Sequence, residues 1–455
     1  MKKEINVPLG GADKQNKKTA VLLILLATFV YAVSYIGRKS YDANFNEIMN
    51  YYGQGKDSVG LAGTAFFIAY GAGQVIHGLL CGKYNPKYSV LAATLAGGAC
   101  NLLVGFLPAS GFGIIKYVWF INGFMQAILW SSTVMLFDKT LAAKYKGLAL
   151  FIMGFPVSVG TFAAYGMSAL FSFLNRFKLI FFVAGGLMLV IAAVWFFAYD
   201  GLTARCIAAK TLYDGESVAA DGSAEKTDVE NGSGAKKAAR KRMPAWFIWL
   251  FAVMCLIAVV NNFVKDGLTT WAPTFLKERY GLENWFSVLL TLILPLFALF
   301  GSTLALALNK KIGDFVLLSG VLYLAAAVVF GVFLACFNLN SFFVAVICFA
   351  AVSCLMSSVN NVVTAIFPMK SKSGVNAGFV AGIADGFCYL GSAFSSYGFG
   401  LIAENFDWNA VMRVIFFSLA AATLICAAVF LIRRLKKPQN SEKSEKTEKQ
   451  KDGNS

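Results

Sequence analysis

Two cations, Arg38 and Lys265, have the type and spacing to do chemistry. Each lies roughly twenty residues past the start of an apolar run, the runs covering 19–37 and 244–264. Cations at matching offsets in two equivalent helices would face each other across a central cavity. There a low dielectric makes fixed charge costly, so the pair calls for an anion. Phosphate fits best, because arginine offers a bidentate fork and lysine a point charge. The competing reading is that both side chains snorkel to the interface. Neighbours favour the inward reading. Tyr31, Tyr35 and Arg38 share one helical face, and Tyr70, Gln74 and His77 repeat that alignment, as do Asn261 and Lys265. Polar groups aligned on an apolar helix are not expected to point at lipid. A tyrosine stripe by itself also fits packing or an interfacial belt.

The carboxylates near these cations are Asp266 and Asp385. Asp266 follows Lys265 directly, about 100° around a helix. It could balance local charge, pair with another helix or carry a proton. Asp385 sits in the middle of "AGIADGFCYLGS" (Ala381 to Ser392). A carboxylate at that depth is protonated or partnered. Pairing with Lys265 or Arg38 is the structural reading; proton coupling or substrate contact is the functional one. His77 could relay protons, but a packing role is the expectation. Trp271 and Pro273 are expected to bend or end their helix at the outer face.

The elements that position these groups follow from composition. The chain is 58% hydrophobic and 14% charged, with 42 Phe and 42 Gly. A soluble domain carries nearer a quarter charged residues, so the expectation is an all-α polytopic membrane protein. Runs long enough to span a bilayer fall at 19–37, 58–81, 88–107, 117–137, 147–174, 179–199, 244–264, 285–308, 315–336, 342–367, 374–403 and 409–432. The charge-free run 315–369 is divided at "FNLNS" (Phe337 to Ser341), and the span ending at 107 is followed by the turn "LPASGFG" (Leu107 to Gly113). The net charge of +16 lies mostly in tails and short loops, which is a topology signal and not a nucleic-acid footprint. Lys83, Lys87, Lys139, Lys144, Lys146, Lys310, Lys311, Arg433 and Arg434 fall on one side with the basic first segment. Arg176 and Lys178 run against the trend. Both termini are therefore expected in the cytoplasm, with no cleavable signal peptide at the start.

Residues 201–243, rich in Gly, Ala, Ser, Glu and Lys, read as a cytoplasmic linker. The organisation expected is a tail at 1–18, six helices in 19–200, the linker, six helices in 244–434 and a disordered tail at 435–455. Two six-helix bundles joined this way resemble the major facilitator architecture, in which substrate binds between the halves near the midplane. One histidine and nine scattered cysteines without a CxxC pair give no metal site and imply no cofactor. No nucleophile–base–orienter set is present, so the chain does not read as an enzyme.

Several stretches resemble the organophosphate:phosphate antiporters. "YAVSYIGRK" (Tyr31 to Lys39) looks like their first-helix signature, and "YGAGQVIHGLLCGKYNPK" (Tyr70 to Lys87) their second helix and loop. "NGFMQAILWSSTV" (Asn122 to Val134), "KDGLTTWAPTFL" (Lys265 to Leu276) and "CYLGSAFSSYGFG" (Cys388 to Gly400) are similar to their fourth, seventh and eleventh helices. The resemblance implies that Arg38 and Lys265 hold the phosphoryl group, with Tyr31, Tyr35 and Tyr70 lining the pocket. Gln74, Asn261 and Trp130 are added as pocket residues, and Asp266, Asp385 and His77 as charge-pair or proton-coupling candidates. There are departures. Lys265 stands where arginine is common, Gln74 where lysine is frequent, Gly82 where the loop has aspartate, and "FPVSVG" (Phe155 to Gly160) lacks a histidine. A larger sugar phosphate or an anion of lower charge fits better than glycerol 3-phosphate.

The expectation is a secondary transporter in the bacterial plasma membrane. It would exchange an organic phosphate ester for inorganic phosphate by alternating access and act as a monomer. Its partners are the two phosphates and the lipid bilayer, and not nucleic acid. The alternatives are proton-coupled transport of another organic anion or a zwitterion, and a sugar-phosphate receptor of the same fold that does not transport.

Overall fold

The computed structural model describes residues 9–80, 83–220, 245–370 and 377–435, which are mostly helical and contain no strands. The first half comprises α1 (Leu9–Asp42), α2 (Phe45–Tyr52), α3 (Lys56–Leu80), α4 (Pro86–Phe106), α5 (Phe112–Gln126), α6 (Ile128–Thr140), α7 (Ala143–Ile152), α8 (Pro156–Phe173) and α9 (Leu179–Ala220). The second comprises α10 (Ala245–Tyr280), α11 (Asn284–Leu290), α12 (Ile293–Ile312), α13 (Phe315–Ala335), α14 (Phe342–Asn361), a π-helical turn Val362–Ile366, α15 (Phe367–Lys370), α16 (Ala377–Asn405) and α17 (Trp408–Leu435). Ten segments among the described residues are long and apolar enough to cross a membrane. Helices α8 and α16 stand at the two remaining expected positions. The chain is thus an all-α membrane protein of two six-helix bundles.

Local chemistry sets several boundaries. Asn85 caps α4 by accepting from the Lys87 amide, with Pro86 as the first helical residue. Asp314 caps α13 through the Val316 and Leu317 amides. Gly281 turns the chain after α10 at φ +65°, a conformation costly for other residues. The run 315–369 does break at Phe337–Leu339, as its composition requires.

Two expectations differ from the structure. Helix α9 passes 200 and runs to Ala220, so the first part of the expected linker is helical. The rest of that linker, the first eight residues, Gly82 and nearly all of the expected tail at 435–455 lie outside the described residues. Of the two outcomes expected at Pro273, a bend or an end, the end does not occur: helix α10 continues to Tyr280. Proline removes the N–H that would donate to the carbonyl of Thr269. That carbonyl instead accepts from the Tyr165 hydroxyl of α8, at 2.9 Å.

Helices α3 and α16 pack along each other and join the halves, as α8 does with α11. Small residues permit this approach. A Cβ on Gly71 would meet the Gly386 carbonyl and the Tyr389 side chain at 3.2 Å. Cross-half bonds start at the end where α1 and α10 terminate. There Lys56 meets Glu278 at 3.3 Å and Glu404 at 3.4 Å, while Asn284 bonds Asn46, Glu47 and Ser172. They continue through Thr64 to the Ala393 carbonyl and stop at Gln74–Asp385. Beyond that pair, toward the other end, no hydrogen bond or ion pair joins the halves among the described residues. The molecule is closed at one end, and the candidate residues sit where the closure stops.

Candidate functional site

Arg38 lies in the last turns of α1 and is 4% exposed, so it does not snorkel. Its Nε donates to Gln126 Oε1 at 2.8 Å, Nη1 to the Tyr70 hydroxyl at 2.9 Å and Nη2 to the Gln126 carbonyl at 3.3 Å. That carbonyl lies at the break between α5 and α6, where Gln126 is the last residue of α5. The guanidinium stands 4.6 Å from the ring centroids of Tyr35 and Tyr70 and 5.4 Å from that of Tyr31. Tyr31 packs on Tyr35 and on Trp130, with centroids 5.6 and 5.7 Å apart. The expected stripe of Tyr31, Tyr35 and Arg38 therefore forms one cage, with Tyr70 and Trp130 in it. No carboxylate lies within ion-pair distance of Arg38 among the described residues.

The donors are not all spent. A guanidinium has five N–H groups, and the protein uses three here. The Tyr70 oxygen accepts from Arg38 and, at 3.4 Å, from Gln74, which leaves its own proton to donate elsewhere. Gln74 Nε2 also donates to Asp385 Oδ2 at 3.0 Å. Of the two readings for Asp385, the structural one is a pair with Lys265 or Arg38. Asp385 forms no ion pair with either, although both charges act on it. Gln74 holds it instead.

Lys265 is differently placed from Arg38. Its side chain is 24% exposed, and Nζ lies 3.6 Å from Asp266 Oδ1, longer than a hydrogen bond. Asp266 also accepts from Asn262 at 3.2 Å and from the Ser392 hydroxyl. On α1, Lys39, the residue after Arg38, pairs with Asp42 one turn on at 2.7 Å, and its charge also reaches Asp266. These four groups alternate in sign and sum to zero. The two expected cations are thus unlike: Lys265 has a carboxylate beside it and Arg38 has none. Asn261 is fully buried and donates to Asn262 Oδ1, its own Oδ1 unpartnered. His77 faces α5, with Nε2 3.3 Å from the Phe124 carbonyl and its ring against Phe124 and Tyr84. That is a packing environment outside the Arg38 cage.

Sequence reading missed three members of the site. Gln126 and Asn122 stand four residues apart in the quoted fourth-helix stretch, a polar pair on one face that could have been read. Gln126 holds Arg38 and itself donates to Asn122. Tyr389, one turn past Asp385, closes the cage from the second half, its ring centroid 4.3 Å from that of Tyr70. Among the described residues no group of His, Cys, Asp and Glu could hold a metal ion, and the eight described cysteines are free.

Comparison with known proteins adds a family. The model described as Major Facilitator Superfamily matches residues 27–377. The chain is 31% identical over 112 residues to the membrane sensor protein UhpC of Escherichia coli (strain K12), covering 24% of this chain and 25% of that protein. It is 26% identical over 117 residues to a probable hexose phosphate transport protein of Chlamydia muridarum, covering 26% and 25%. The chain spans about a quarter of the length of these curated relatives. Over 313 residues it is 25% identical to the probable sulfoacetate transporter SauU of Cupriavidus necator, covering 66% and 67%. Among solved structures, a bacterial homologue of the human lysosomal transporter Spinster aligns with a TM-score of 0.67 at 16% identity, over 91% of this chain and 97% of that one. A D-xylose–proton symporter aligns with a TM-score of 0.67 at 14% identity, over 89% and 96%. At such identities the likeness is one of fold.

Proposed function

The chain belongs to the Major Facilitator Superfamily, and from that premise we propose that it is a secondary transporter exchanging an organic phosphate ester for inorganic phosphate. The family is one of carriers and not of enzymes. The single observation that carries the substrate class is Arg38: a buried guanidinium with neutral partners, two N–H groups unspent and the Tyr70 proton beside it. A buried cation without a counter-charge costs several kcal/mol unless an anion completes it. The tetrahedral oxygens of a phosphoryl group can take the fork and the phenol together. Lys265 supplies the second charge by turning from Asp266, a loose 3.6 Å contact, to the ligand.

The transport step follows from where the site lies. Bonds between the halves stop at Gln74–Asp385, on α3 and α16. An anion bound to both Arg38 on α1 and Lys265 on α10 pulls the open ends together. Closure opposite must loosen the Lys56 and Asn284 contacts, and the site then faces the other way. With both termini in the cytoplasm, the closed end faces outward and the site opens inward, in a bacterial plasma membrane.

The test is uptake of labelled inorganic phosphate into proteoliposomes preloaded with phosphate, competed with glucose 6-phosphate, glycerol 3-phosphate, phosphoglycerate and their unphosphorylated parents. Exchange blocked by the esters alone supports the proposal. Absence of exchange in folded protein sinks it. A second reading, proton-coupled transport of a sulfonate or carboxylate anion, draws on the longer match to the probable sulfoacetate transporter. It expects uptake that follows a pH gradient and ignores phosphate. The match to a membrane sensor keeps a receptor in view, and a receptor would bind the ester without moving it.

A further inference from the structure

Resting on the phosphate-ester reading, we propose that Asp385 determines specificity by accepting a hydrogen bond from a donor, hydroxyl or ammonium, on the organic part of the substrate. The embedded aspartates divide into two kinds. Asp42 has Lys39 at 2.7 Å, and Asp266 has Lys265 together with Asn262 and Ser392. Asp385 has one partner among the described residues, Gln74, on one oxygen. A carboxylate offers about four acceptor positions, and Asp385 is only half-buried, so its other oxygen stands open. It is also placed to meet a ligand. Tyr389, one helical turn on, packs against Tyr70 in the Arg38 cage, and Gln74 bridges Asp385 to the Tyr70 hydroxyl.

Electrostatics gives the direction of selection. Arg38 and Lys265 both act on Asp385, so a phosphoryl group held by those cations sits in the field of a nearby carboxylate. A ligand that brings only negative charge suffers that repulsion. A ligand whose carbon skeleton carries a donor turns the carboxylate into a contact. The site therefore favours phosphate monoesters with hydroxyl or amino groups over alkyl phosphates of the same charge. An Asp385 that only balanced the two cations would make no such distinction.

The experiment reads the ratio of inhibition constants against labelled phosphate exchange for three probes: glucose 6-phosphate, phosphoethanolamine and butyl phosphate. A hydrogen bond to a charged acceptor separates the first two from the third by roughly tenfold or more in the wild type. Asp385→Leu brings both ratios to near one. Asp385→Asn lowers the advantage of phosphoethanolamine more than that of glucose 6-phosphate, because the amide oxygen still accepts from either donor but no longer carries the charge that attracts the ammonium. Asp385→Glu retains both. Slower exchange in a variant cancels in the ratio, and displacement of bound labelled phosphate in detergent gives the same ratio where exchange is too slow. Butyl phosphate matching the other probes in the wild type, or unchanged ratios in Asp385→Leu, overturns the role of Asp385 while phosphate exchange stands. Loss of phosphate exchange and ester binding in the wild type overturns the parent reading, and this inference with it.

Discussion

The contact between Tyr165 and Thr269 yields the sharpest quantitative prediction. Pro273 leaves the Thr269 carbonyl without its intrahelical donor, and the Tyr165 hydroxyl takes that role across the halves at 2.9 Å. Tyr165→Phe deletes the bond and orphans that carbonyl, but only while the present end stays closed. Interhelical hydrogen bonds in membranes average about 0.6 kcal/mol with a maximum near 1.7, and an orphaned acceptor moves the cost to the upper part of that range. Tyr165→Phe should therefore disfavour the closed end by about 1–2 kcal/mol, roughly five- to thirtyfold in the conformational equilibrium. Pro273→Ala restores a backbone N–H that can donate to Thr269, and in that background the same Tyr165→Phe change should cost only about 0.6 kcal/mol. The double-mutant cycle then gives a coupling of about 1 kcal/mol between two residues on different helices. The assay is electron–electron distance measurement between spin labels at Arg176 and Phe406, exposed at the closed end on opposite halves, after replacement of native cysteines. Additive effects, with the Tyr165→Phe shift equal in both backgrounds, would refute the reasoning that proline creates the acceptor.

Other outcomes follow from the same geometry. Arg38→Ala should abolish phosphate-ester binding, and Arg38→Lys should leave it at least about tenfold weakened, because an ammonium keeps the charge but not the fork that holds Gln126 and Tyr70; equilibrium binding in detergent checks both. Lys56→Ala should shift the conformational equilibrium by no more than about 1 kcal/mol, since Glu278 and Glu404 are both exposed, and the shift should vanish in high salt. Gly391→Ala should destabilise the second half by about 1–3 kcal/mol, because its Cβ would press into the Val259 carbonyl where α16 crosses α10; thermal unfolding of the purified protein checks it.

The sequence by itself determined the class of fold. Apolar run length forces membrane helices, because a bilayer leaves backbone groups no other partner, and the central polar stretch divides them six and six. It also determined that Arg38 and its tyrosines share a face, since that is a matter of helical period within one element. Helix ends were less legible: α9 carries its helix past the expected boundary at 200, and α10 passes through Pro273, because a tertiary donor compensates a local defect that propensity reads as a stop. Only the tertiary structure decided which charges are spent. That Asp266 turns to Lys265 and Ser392, that Gln74 and not a cation holds Asp385, and that Gln126 and Tyr389 complete the Arg38 cage all depend on how α3, α5, α10 and α16 are brought together. Spacing within a helix fixes the direction of a side chain relative to its neighbours. Which partner it meets is set by the packing of other helices, as where Gln74 meets Asp385, 311 positions away in the chain.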